Sequence, residues 1–63
     1  MLQFTDRQGF LHIIPVREVR RLTFGEALAT LFIKGARFDT QINLTDAVAR
    51  QIKEKLIDYG SNA

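Results

Sequence analysis

The sequence predicts an α+β fold: a small five-stranded antiparallel β-meander, a twisted sheet or partly closed barrel, packed by one C-terminal amphipathic helix. Three observations predict it. Turn signals punctuate the first two-thirds of the chain about every ten residues, a spacing typical of small antiparallel sheets. Over residues 37–44, Phe38, Thr40, Ile42 and Leu44 alternate with Arg37, Asp39, Gln41 and Asn43, the period of a half-buried strand. Residues 45–59 carry an apolar stripe at helical spacing. One domain is expected over residues 1–59, with residues 60–63 as a short frayed tail.

The elements follow in order. Asp6-Arg7-Gln8-Gly9 reads as a turn, because Asp favours its start and Gly9 tolerates the left-handed conformation that ends it. It joins strands at residues 2–5 and 10–14 into a hairpin. Pro15 has no amide hydrogen for a ladder and stops the second strand. Val16, Val19 and Leu22 recur every three residues, which predicts a short helical turn over residues 16–18 and a strand over 19–24. Gly25-Glu26 is the next tight turn, residues 28–33 the fourth strand and Lys34-Gly35 the next reversal. In the fifth strand Phe38, Thr40, Ile42 and Leu44 face one way and Arg37, Asp39, Gln41 and Asn43 the other. Thr45 is a helix N-cap with Asp46 in the first turn to complement the macrodipole. Val48, Ile52, Leu56 and Tyr59, widened by Ala49, form the apolar stripe. Asp46 and Arg50 are spaced for an ion pair one turn apart, and Gly60 stands where a helix C′ glycine belongs.

Size and composition bound the function. The chain has 63 residues, 46% hydrophobic and 25% charged, the make-up of an ordinary globular domain. With no cysteine it has no disulfide framework, thiolate metal site or cysteine nucleophile. One histidine and scattered acids suggest no metal site, and no cofactor is expected. No apolar run approaches the roughly 20 residues of a membrane span, and Met1 is followed by no secretory signal, so a cytoplasmic protein is expected. A domain this small buries only about 60% of its unfolded surface and is marginal alone. Self-association is the remaining common source of stability, with a C2 dimer the default.

Enzymatic chemistry is not expected. His12 lies between Leu11 and Ile13 in a strand, with no nucleophile or carboxylate signature beside it. The acids sit in turns, on the wet strand face or on the helix surface, and the four glycines form no phosphate-binding loop. Two features remain as candidate sites. The first is basic: Arg17, Arg20 and Arg21 lie within five residues, and Lys34 and Arg37 flank predicted turns. The planar arginine fork suits phosphate recognition, and Phe4, Phe10 or Phe38 could add a stacking platform. The second is apolar: the fourth strand has Leu28, Thr30 and Phe32 on one side and Ala29, Leu31 and Ile33 on the other. One helix covers one face. The other is either closed off in a partly closed barrel or a surface for self-association or a partner, with Leu28, Leu31, Ile33 and Ile57 as its candidates.

The opening Met1-Leu2-x-Phe4-Thr5-x-Arg7-x-Gly9 resembles the start of the carbon-storage regulator family, small dimeric RNA-binding proteins of five strands and a C-terminal helix. That family's glycine-rich central strand, Ala-Pro turn and arginine ahead of the helix have no counterpart, Asn43-Leu44-Thr45 standing there instead, so its RNA-binding role does not carry over. A second likeness covers more of the chain. Thr5 to Gly9, Pro15 with Val19 and Leu22, Gly35, and the segment from Thr45 to Tyr59 are similar to the pattern of the small flagellar proteins called FlbD, without that family's asparagine before the proline. This resemblance implies the architecture. The expected function is a non-enzymatic binding or regulatory module, of bacterial or phage type, that acts through protein–protein contact and self-association. The alternatives are a nucleic-acid-binding regulator using the arginine cluster and a structural subunit of a larger assembly.

Overall fold

The computed structural model describes residues 1–61. The elements run β1 (Leu2–Thr5), β2 (Leu11–Ile14), a 3-10 turn (Val16–Glu18), β3 (Val19–Phe24), β4 (Ala29–Ile33), β5 (Thr40–Leu44) and α1 (Asp46–Ser61). The domain is α+β with five antiparallel strands and a C-terminal helix. The strands do not form the expected single meander or a partly closed barrel: β1 and β2 make a two-stranded sheet and β3–β4–β5 a separate three-stranded one. The split falls at Pro15. Its backbone (φ −61°, ψ 134°) is extended, it has no amide for a ladder, and its carbonyl accepts the Glu18 amide at 3.0 Å. The resulting 3-10 turn carries the chain to a different sheet before β3 can pair with β2.

The first hairpin is set by its turn. Gly9 has φ +90°, a region open to glycine and strained for other residues. The Asp6 amide donates to the Phe10 carbonyl at 2.9 Å, and the Asp6 carboxylate takes the amides of Gln8 (2.8 Å) and Phe10 (3.0 Å). The register pairs Leu2 with Ile14 and Phe4 with His12 on one face, and Gln3 with Ile13 and Thr5 with Leu11 on the other. Leu2 and Phe4 are buried, so the first of these faces is the core side.

In the larger sheet Leu22, Leu31 and Ile42 line up across the strands on the inner face, and Arg21, Phe32 and Gln41 on the outer. Ala29, Leu31 and Ile33 are all buried while Thr30 and Phe32 are only partly so, which decides which side of β4 meets the core. β5 keeps its expected alternation, but it starts at Thr40. Phe38 precedes the strand and is 85% exposed, not on its core face. Leu28 likewise precedes β4, where its carbonyl accepts the Gly25 amide at 2.8 Å.

The helix starts as expected, with the Val48 amide on Thr45 Oγ1 at 3.4 Å and Arg50 Nε on Asp46 Oδ2 at 2.6 Å. It packs against β1, β3 and β4, burying Ala49 and Ile52, with Val48 and Leu56 partly covered. The stripe outruns the surface beneath it: Tyr59 is exposed. Gly60 lies inside the helix, not past its end, so of the expected tail residues 60 and 61 are helical, while 62 and 63 lie outside the described residues. Two main-chain bonds supplement the ladders, one between the sheets and one at the end of the β3–β4 pair. The Arg7 amide donates to the Asn43 carbonyl (3.1 Å), clasping the hairpin tip to β5, and the Lys34 amide donates to the Glu18 carbonyl (2.8 Å). No helix among the described residues is long and apolar enough to cross a membrane.

Candidate functional site

The only histidine sits opposite the first turn. Its Nε2 lies 2.7 Å from Asp6 Oδ2, and its ring stacks on Phe4 with centroids 5.2 Å apart. The hydrogen bond to His12 is the main reason the Asp6 carboxyl is held below the usual carboxylate range. Burial opposes that shift, and the amides of Phe10 and Gln8 reinforce it. Both Asp6 oxygens are therefore engaged, one by the turn and one by the ring. This arrangement clamps the hairpin tip to its own second strand. It lines a cleft of about 430 Å³ between the tip and the open edge of β5, where Gln41 and Asn43 offer polar groups. No group of three or more His, Cys, Asp or Glu side chains converges on a point among the described residues.

The basic residues gather at one end of the three-stranded sheet. Arg17 is in the 3-10 turn, Arg20 at the irregular start of β3, Lys34 just after β4 and Arg37 in the β4–β5 loop, while Arg21 stands on the outer face. The Glu18–Lys34 main-chain bond and the Val19–Ile33–Thr40 register bring these segments side by side. Arg20 Nε lies 3.7 Å from Asp39 Oδ1, and the Arg21 guanidinium caps the Phe32 ring at 4.3 Å. Five basic and two acidic side chains give this end a formal charge of +3. The whole chain carries +2, so everything else sums to −1. The entire positive excess is local to this end.

The apolar candidates separate. Leu31 is 0% exposed and Ile33 is buried beside it, both packed under the helix, so neither is available to a partner: this corrects their place among the surface candidates. Leu28 and Ile57 are exposed. A further apolar surface lies on the first hairpin, away from the sequence candidates. Leu11 (58% exposed) and Ile13 (60%) project from the outer face of the first hairpin, with exposed Phe10 at its end. Counting register across the Asp6–Gly9 turn finds them. With Phe4 inward, its partner His12 is inward too, and Leu11 and Ile13 must point out. Compared with protein-family models, curated proteins and solved structures, the chain matches none.

Proposed function

We propose that the protein is a non-enzymatic binding module that self-associates, two copies meeting through the outer face of the first hairpin. The observation that carries this reading is the exposure of Leu11 and Ile13 on a strand whose opposite face already supplies the core. Threonine at either position would serve the strand equally well and keep the face wet, so the apolar choice calls for a partner.

Two features favour a second copy as that partner. The accessible surface is 4843 Å², against about 4,100 Å² expected from the mass scaling for a 7.2 kDa monomer. The surplus is close to the roughly 800 Å² each protomer contributes to a standard interface. In addition, β2 has only β1 beside it, so its other edge offers unpaired main-chain groups. A two-fold axis there would join like to like and cover both the edge and the apolar face. An accessory or regulatory role inside the cell belongs to the same reading, with Leu28 and Ile57 left free for a different protein.

Sedimentation at several concentrations tests it. Wild type is expected to sediment as a dimer, and Leu11→Lys with Ile13→Lys as a monomer with the same far-ultraviolet circular dichroism. A wild-type chain that stays monomeric at high concentration, or a double variant that still dimerises, refutes the reading.

A further inference from the structure

We propose that the end of the three-stranded sheet where β4 turns into β5 binds single-stranded nucleic acid, with phosphates on Arg20, Lys34 and Arg37 and a base stacked on Phe38. The proposal uses a different face from the hairpin and goes beyond self-association.

Charge is the first support. The end carries +3 in a chain whose remainder is −1, so a polyanion is steered to this one place. Of its two acids, Asp39 is faced by Arg20 at 3.7 Å, which leaves Arg17, Arg21, Lys34 and Arg37 against Glu18.

The second support is aromatic. Phe38 is 85% exposed, flanked in sequence by Arg37 and Asp39, and makes no contribution to the core. Its presentation is enforced by the loop. A Cβ added to Gly35 would lie 2.0 Å from the Phe38 carbonyl oxygen and 3.1 Å from its carbonyl carbon, so the loop closes in this shape only with glycine there. The chain thus holds a large ring out in water, among cations, by a tight backbone contact. On the neighbouring outer face the Arg21 guanidinium lies over the Phe32 ring, and a guanidinium plane is itself a surface on which bases stack.

Unpaired bases fit this better than a duplex does. A stacking ring needs an exposed base face, whereas a duplex hides its bases and is read by an element that enters a groove. The outer face continues with Thr23, Thr30, Gln41 and Asn43, whose side chains offer donors and acceptors to base edges.

The test is fluorescence anisotropy with labelled oligo(U) and oligo(dT) of about 15 nucleotides, at about 50 mM and about 200 mM salt. Phe38→Ala is expected to weaken binding about tenfold without changing the salt slope or the melting temperature. Lys34→Ala with Arg37→Ala should weaken it and lower the slope by about 1.4, the share of two phosphate contacts on a single strand. Gly35→Ala keeps every charge and moves Phe38, and should weaken binding as Phe38→Ala does. Lys53→Ala with Lys55→Ala on the helix should change affinity less than about twofold. No binding at the higher salt overturns the proposal. So does equal affinity for a duplex or for heparin with no effect of Phe38→Ala, or a loss in the helix variant matching that at Lys34 and Arg37.

Discussion

The two sheets are built alike on the inside and oppositely on the outside. Each turns one apolar face to the common core: Leu2 and Phe4 from the hairpin, Leu31, Ile42 and Leu44 from the larger sheet. Their outer faces part company. The larger sheet shows Thr23, Thr30, Gln41 and Asn43, and the one aromatic on that face, Phe32, is sheltered under Arg21. The hairpin shows Leu11 and Ile13 to water, relieved only by Gln3 and Thr5. An outer face that is not needed for the core is free to be polar, and in one sheet of this chain it is. The apolar hairpin face is therefore not required by the core, and the proposed self-association rests on that difference.

Substitutions sharpen the contrast between inner and outer positions. The largest effect is expected at Leu31, fully buried in the shared core: Leu31→Ala should lower unfolding free energy by about 2–5 kcal/mol in chemical denaturation. A chain of 63 residues commands only about 3–9 kcal/mol in total, so this variant should be close to unfolded. If Leu11→Ala proved as destabilising as Leu31→Ala, the distinction between the two faces would collapse. A smaller loss, about 1–2 kcal/mol, is expected for Gly9→Ala. An added Cβ there meets no atom within 4 Å, so the loss is one of backbone strain at φ +90° and should be confined to the hairpin.

The smallest effect is electrostatic and also confined to the hairpin. The folded-state pKa of Asp6 lies below its unfolded value of 3.8, chiefly through His12. A group shifted this way stabilises the fold above the unfolded pKa, and that contribution disappears as pH falls through the folded value. Acid titration of wild type against Asp6→Asn should therefore show the gap between the two closing below about pH 4. A gap that is constant down to pH 2 would assign Asp6 a purely steric role in the turn.

Much of this construction was legible from residues alone, and what was not has identifiable reasons. The alternation through Thr40, Ile42 and Leu44, the Thr45 cap, the stripe through Leu56 and the Asp6–Gly9 turn are local patterns, and all are present. The division into two sheets is not local. Pro15 announces the end of a strand, but whether the next strand returns to pair with it depends on where the 3-10 turn points the chain. Residues 28–33 are apolar on both sides, so their parity carried no information about which side meets the helix, and Leu31 and Ile33 were placed among surface candidates for that reason. For Phe38, extrapolating the β5 period backwards put it in the core. The close approach of Gly35 to its carbonyl bends the chain out of that period before the strand begins. Of the basic cluster, the residues themselves were plain in the sequence, while their concentration of the entire positive excess at one end required the strand register.

Every ladder in the molecule joins strands that are neighbours in the chain. Closing such ladders loses little loop entropy, which places the protein toward the fast end of sheet-containing domains in its folding. The exception is the single bond from the Arg7 amide to the Asn43 carbonyl, which encloses most of the strands in one loop. Pairing within each sheet needs only local contacts, whereas the shared core and that bond need both sheets together.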